Sequence, residues 1–229
     1  MPIITFANSK GGSGKTTSAL LLACELANAK RVTIIDADPR HPLTTWATLP
    51  NKPKNLTVIT NESEKTILDE IEAAAARDPF VIVDLEGTAS RLTSYAISQS
   101  DLVLIPMKEQ QQDALAAIEV VKEIHRDMKA VRREIPFAIL FTQTKAAVKS
   151  RTARFVSKQF RDNQKFLTLN TEINERDAFA AIFAVGGAVG TLNPKEVNNL
   201  EAALANVNNF AAEVIDILRS TKAERKDVA

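Results

Sequence analysis

The segment Asn8-Ser9-Lys10-Gly11-Gly12-Ser13-Gly14-Lys15-Thr16-Thr17 constrains this chain more than any other stretch. It joins a short apolar run, Ile3 to Ala7, to a segment opening Ser18-Ala19-Leu20-Leu21-Leu22, which reads as an apolar helix. Glycines let the backbone wrap so that successive N–H groups point at one anion, and the helix N-terminus adds its partial positive charge. In such a loop Lys15 reaches β- and γ-phosphates, and the Thr16 hydroxyl ligates the Mg²⁺ that bridges them. The pattern G-x-x-x-x-G-K-[ST] is met at Gly14, Lys15 and Thr16, but Ser9 occupies its first position. A plain glycine turn is the competing reading; the order strand, glycines, Gly-Lys-Thr, helix favours phosphate.

The rest of the chain repeats the strand-helix alternation. Strands are expected at Ile3–Ala7, Arg31–Asp36, Leu56–Thr60, Phe80–Asp84, Leu102–Pro106 and Phe137–Thr142, with a further candidate at Phe166–Leu169. Helices are expected at Thr16–Ala29, Glu62–Arg77, Asp113–Arg132, Ser150–Asp162, Arg176–Val185 and Pro194–Arg219. Val81-Ile82-Val83 and Leu102-Val103-Leu104-Ile105 are continuously apolar, as strands covered by helices on both faces must be. The fold class is therefore α/β: one doubly wound, mostly parallel sheet with helices on both faces, spanning residues 1–220, followed by a polar tail, 221–229, expected to fray. Ligands of such sheets sit beyond the carboxyl ends of the strands. Residues 49–55, with two prolines, read as a surface loop.

Composition removes several classes. Lysine plus arginine number 29 against 28 acids, a net charge of +1, so affinity for nucleic acid needs a local basic patch. One cysteine, Cys24, permits no internal disulfide, and with two histidines a zinc site is disfavoured. The composition suits a reducing cytosol, and no apolar stretch is long enough to span a bilayer. Cys24, Trp46 and Tyr95 read as packing residues, and His125 and His41 as having no ligand role.

The positive patch exists. Lys145, Lys149, Arg151, Arg154, Lys158, Arg161 and Lys165 face a single acid, Asp162, over that stretch. On a helix from Ser150 to Asp162, Arg151, Arg154, Lys158 and Arg161 share a face, and Phe155, Val156 and Phe160 are expected to turn toward the sheet. Such a stripe suits the backbone of duplex DNA, and without an aromatic on the basic face stacking on single strands is disfavoured. A solvated helix face is the competing reading.

Lys10-Gly11-Gly12-Ser13-Gly14-Lys15-Thr16-Thr17 resembles the deviant Walker A loop of the ParA/MinD superfamily of ATPases. The resemblance implies that residues 10–17 bind ATP and that Lys10 crosses a nucleotide-sandwich homodimer to the partner's phosphates. Ile35-Asp36-Ala37-Asp38-Pro39 resembles the family's D-x-D-P motif, which puts Asp38 on the attacking water and beside Mg²⁺. Phe80-Val81-Ile82-Val83-Asp84 resembles a Walker B strand, with Asp84 and Thr16 on the metal. The family's Asp-Thr-Pro-Pro-Gly is here Asp84-Leu85-Glu86-Gly87-Thr88, so Glu86 is either a site carboxylate or an exposed loop residue. Lys10, Lys15 and Asp38 are thus the expected catalytic residues.

His41-Pro42-Leu43-Thr44-Thr45-Trp46 together with Glu175-Arg176-Asp177-Ala178-Phe179-Ala180-Ala181 is similar to the VirC-type branch, ParA-like proteins that assist conjugative DNA transfer. The superfamily resemblance further implies nonspecific duplex binding in the ATP state through Lys149, Arg151, Arg154, Lys158 and Arg161. It also implies slow hydrolysis, a ParB-like centromere-binding or adaptor partner, a nucleoid-associated place in the cytoplasm, and DNA partition as the role. The rivals are a MinD-like positioning ATPase, disfavoured because the terminal residues carry no apolar stripe for a membrane, and a ligase of the dethiobiotin-synthetase kind.

Overall fold

The computed structural model describes residues 1–87 and 90–227, with α8 side chains described as far as residue 223. The strands are β1 (Ile3–Phe6), β2 (Val32–Ala37), β3 (Leu56–Thr60), β4 (Phe80–Leu85), β5 (Leu102–Met107), β6 (Phe137–Thr144), β7 (Leu167–Thr168) and β8 (Ile173–Asn174). They form one parallel sheet in the order β3-β2-β4-β1-β5-β6-β7, with β8 pairing the far end of β6. The helices are α1 (Lys15–Ala27), α2 (Pro42–Ala47), α3 (Ile67–Arg77), α4 (Arg91–Gln99), α5 (Gln111–Val131), α6 (Arg151–Arg161), α7 (Asp177–Val185) and α8 (Leu200–Asp227).

The apolar strand runs are buried because helices cover both faces. On one face Leu20, Leu21 and Leu22 of α1 pack with Phe210 and Val214 of α8 and Ile182 of α7. On the other, Ile71, Ile97, Ile124 and Val156, from α3, α4, α5 and α6, pack on Val83, Val103 and Phe141. Helices therefore leave the strand ends toward opposite faces, and a crevice opens where they diverge, at the carboxyl ends of β1, β4 and β5.

Three of the strands and α-helices named above go beyond the sequence expectation. α2 is a six-residue helix with proline at its start, held by fully buried Leu43 and Trp46. α4 is nine residues long, its first turn capped by the Ser90 hydroxyl accepting from the Thr93 N–H at 3.2 Å. β8 is two residues long, too short for any periodicity to show. α8 starts at Leu200, after Asn199 in left-handed geometry, not at Pro194, and the polar tail expected to fray continues it to Asp227. Phe210, Val214, Ile217 and Leu218 pack this helix against the domain. No helix among the described residues is long and apolar enough to cross a membrane.

Candidate functional site

The glycine-rich loop spans the end of β1 and the first turn of α1. Gly12 and Gly14 have φ of 70° and 90°, a left-handed geometry that side chains rarely adopt. A Cβ on Gly14 would also lie 3.1 Å from the Thr142 side chain at the end of β6. The strands fasten the loop at three further points. Asn8 Nδ2 donates to the Pro106 carbonyl at 2.7 Å, while Asn8 Oδ1 accepts from the Lys10 N–H at 2.9 Å. Thr142 Oγ1 donates to the Ser13 carbonyl at 2.6 Å, and Gln143 Nε2 to the Gly12 carbonyl at 3.1 Å. With these carbonyls tied outward to β6, the loop is shaped as an anion cradle at a helix N-terminus.

Lys15 opens α1 and is buried, its Nζ donating back to the Lys10 carbonyl at 3.4 Å. Burial holds its pKa below the ordinary lysine value, opposed by the charges of Asp84, Asp38 and Glu86. The exposed Glu86 thus acts on the same ammonium. A Cβ on Gly87 would lie 3.3 Å from the Ser9 carbonyl oxygen, so the turn after β4 rests on the loop. Thr88 lies outside the described residues.

Asp84 ends in full burial, and neither carboxylate oxygen has a hydrogen-bond partner among the described residues. Burial pushes its pKa up to about 7; the Thr16 hydroxyl, near it without full hydrogen-bond geometry, and Lys15 pull the other way. Asp36 sits opposite Asp84 in the β2–β4 register, and its charge and that of Asp38 also raise the Asp84 pKa. Asp36 accepts from the Thr44 N–H at 2.8 Å and hydroxyl at 2.9 Å, tying β2 to α2, while its other oxygen is buried without a partner. Asp38 lies just past β2, its carboxylate accepting from the Arg40 N–H at 2.9 Å.

A buried carboxylate with both oxygens unpartnered, beside a threonine hydroxyl and a lysine, is costly unless a cation completes it. Among the described residues no three His, Cys, Asp or Glu side chains cluster to hold a metal alone. Mg²⁺ does not require such a cage, since it keeps several waters and takes one or two protein oxygens plus phosphate. The residues present therefore fit a magnesium-bound nucleoside triphosphate: Thr16 and Asp84 would face the metal, and the loop N–H groups and Lys15 the phosphates.

Lys10 does not point into solvent. Its ammonium pairs with Asp113, a fully buried carboxylate at the start of α5 that also accepts from the Lys108 N–H at 3.3 Å. Sequence reasoning missed Asp113, Thr142, Gln143 and Asn8, which carry no local motif.

The basic stripe is rearranged relative to expectation. Lys149 donates to Glu109 and Glu172, each at 2.6 Å, and Arg161 donates to Glu172 at 2.9 Å and to the Leu169 carbonyl at 3.0 Å. Burial opposes the Lys149 charge, but its two carboxylates outweigh it and hold its pKa above the ordinary value. Burial would likewise raise Glu172, whereas Lys149 and Arg161 hold it low. Arg151, Arg154 and Lys158 remain exposed. Phe155, expected to face the sheet, is 59% exposed; Val156 and Phe160 take the buried positions.

The cradle, the lysine that opens α1 and the buried carboxylate at the carboxyl edge of a parallel sheet define a P-loop nucleoside triphosphatase fold. A model of the VirC1 protein matches residues 1–220, and the chain belongs to this family of ParA-like partition and positioning ATPases. Protein ParA of Rhizobium radiobacter is 36% identical over 215 residues, 93% of this chain and 96% of that protein. Apo McdA of Cyanothece superposes with a TM-score of 0.75 at 16% identity, covering 91% of this chain and 98% of its own. A plasmid partition protein of Borrelia burgdorferi B31 bound to AMPPNP superposes with a TM-score of 0.66 at 20% identity, covering 91% and 98%.

Proposed function

We propose that this protein binds MgATP, dimerises around it, associates with DNA in that state, and hydrolyses ATP slowly as a reset that drives DNA partition. The observation that carries the reading is the unpartnered, fully buried Asp84 beside Thr16 and Lys15 under a loop pinned by β6. Phosphoryl transfer to water needs positioning and charge stabilisation more than covalent chemistry. Lys15 neutralises the phosphates, Thr16 and Asp84 hold the metal, and Asp38 orients the water. Lys10 leaves Asp113 for the phosphates of a second copy, so only the triphosphate completes the dimer and the nucleotide acts as a switch. Arg151, Arg154 and Lys158 contact DNA, with Lys149 and Arg161 held by acids. A ParB-like or adaptor protein accelerates the reset, and the protein works on DNA in the cytoplasm.

A second reading shares the chemistry and differs in cargo. The match to the VirC1 model over residues 1–220 favours an accessory role in conjugative DNA transfer.

The test is binding of arbitrary-sequence duplex DNA by wild type, Lys10→Ala and Lys15→Ala with ATP, ADP or no nucleotide. The expected result is ATP-dependent, salt-sensitive binding, lost in both variants, with ATP affinity by calorimetry lost only in Lys15→Ala. Unchanged ATP affinity in Lys15→Ala would remove the phosphate-loop assignment.

A further inference from the structure

The ion pairs around Glu172 change the character of the basic helix. With Lys149 and Arg161 consumed by Glu109 and Glu172, the expected long stripe shrinks to Arg151, Arg154 and Lys158. Two of these, Arg151 and Lys158, lie at helical spacing from the one large apolar side chain that α6 leaves outside, Phe155, which is 59% exposed, and Arg154 precedes it directly in sequence. Arg151 precedes Phe155 by four residues and Lys158 follows it by three, so both flank the ring on one helix face. Arg154 is held in place by its guanidinium donating to the Lys149 carbonyl at 3.2 Å. Lys158 keeps a side-chain exposure of 78%, and its approach to Asp162 is a 4.0 Å surface contact of little worth.

An aromatic face flanked by cations answers a different ligand from a row of cations alone. Duplex backbone needs only the charges, because its bases are stacked inside and offer no face to a phenyl ring. An unpaired base does offer one, and stacking on an aromatic side chain tolerates any sequence. A lipid surface is the poorer match. Val156 and Phe160 face the core, leaving too small an apolar area on the outer face of α6 to insert into a bilayer against the cost of docking.

We infer that α6 is a single-strand contact, in which Phe155 stacks on an unpaired base while Arg151, Arg154 and Lys158 hold the flanking phosphates. The inference rests on the reading of α6 as the DNA-facing helix and goes further, to the strandedness of the ligand.

The test compares fluorescein-labelled oligodeoxythymidylate of about thirty nucleotides with a duplex of equal length. Binding is measured by anisotropy with a non-hydrolysable ATP analogue across a salt series, for wild type, Phe155→Ala, Phe155→Trp and Arg151→Glu/Lys158→Glu. Phe155→Ala is expected to weaken single-strand binding about 5- to 100-fold and duplex binding less than about twofold. The salt slope should not change, because no charge is removed. Phe155→Trp should restore single-strand affinity, and the charge reversal should weaken both ligands. The single-strand ligand separates the two readings: if both ligands need Arg151 and Lys158 and Phe155→Ala leaves single-strand as well as duplex binding unchanged, this inference is overturned and the proposed function stands. Absence of binding to both oligonucleotides, with ATP affinity intact, overturns both. Retention on phosphatidylglycerol vesicles instead would identify the patch as a lipid contact and overturn the inference as well.

Discussion

Lys10 and Asp113 form an ion pair across the crevice, between the glycine-rich loop and the first turn of α5, and the carboxylate is fully buried. In the proposed dimer this pair competes with the partner's phosphates for the same ammonium. Asp113→Asn keeps an acceptor for the Lys108 N–H but removes the charge. It is expected to tighten ATP-dependent dimerisation by about tenfold, on the scale of one charged hydrogen bond. Sedimentation velocity over a protein dilution series with AMPPNP measures it. A weaker or unchanged dimer would mean that Asp113 positions Lys10 instead of restraining it.

Gly14→Ala tests the cradle. The added methyl would lie 3.1 Å from the Thr142 side chain at a φ of 90°, so both backbone and packing oppose it. Strain of this kind costs about 1–3 kcal/mol. ATP affinity by calorimetry should fall about 5- to 150-fold. An unaltered affinity would show that the loop relaxes freely and that its attachment to β6 is incidental.

Asp84 predicts a pH dependence with a definite sign. Its folded pKa of about 7 lies above the ordinary aspartate value near 4, so the folded state holds an extra proton between them. For nucleotide-free protein in chelator this term makes stability fall as pH rises through that window and level off above about pH 7. Asp84→Asn removes the term, and at pH 8 it should raise the melting temperature of the unliganded protein by about 5 to 10 °C. The same variant should lose the stabilisation that Mg²⁺ adds to bound nucleotide. A lower melting temperature for Asp84→Asn at pH 8 would contradict the burial argument.

The proposed role of Asp38 is separable from binding. Asp38→Ala should keep ATP affinity within about threefold of wild type and accumulate as a dimer with ATP, because positioning of the water contributes to the chemical step and not to holding the phosphates. Light scattering with ATP is the readout, and a monomer would remove the assignment.

Lys149 and Arg151 are two residues apart and should behave differently. Lys149→Ala strands Glu109 and Glu172, which are buried and half-buried, and should cost about 3 kcal/mol of stability in urea unfolding. Arg151→Ala should be nearly neutral in stability and weaken DNA binding. Equal effects on DNA from the two substitutions would restore the longer stripe.

The parts of the fold that could be read from sequence were those specified locally. The apolar runs of β4 and β5 and the Gly14-Lys15-Thr16 turn specify their own conformation within a few residues. α2 escaped because six residues give too few helical repeats for a pattern to stand out, and α4 because its Arg, Thr, Ser and Gln residues dilute the few apolar positions that α7, of the same length, shows plainly. The supports of the site escaped for another reason. Lys10 meets Asp113 103 residues further on, and Ser13 meets Thr142 129 residues further on, so those contacts exist only once β5 and β6 take their places on one side of β1. On α6 the positions of the charges were legible, but the partners of Lys149 and Arg161 come from the β5–α5 turn and the segment leading to β8. Phe155 and Val156 are consecutive on a helix and cannot share its inner face, and Val156 with Phe160, four residues on, forms the pair that buries.

Cys24 sits inside α1, 4% exposed, with burial pushing its thiol pKa up to about 12. At neutral pH this sulfur is neither ionised nor reachable, and it is the chain's one cysteine. A spectroscopic probe attached through maleimide to a cysteine newly placed on the surface would therefore report from that position alone, with Cys24 left as it is. Distance measurements between the two copies of the proposed ATP-bound dimer could then be made on the natural core.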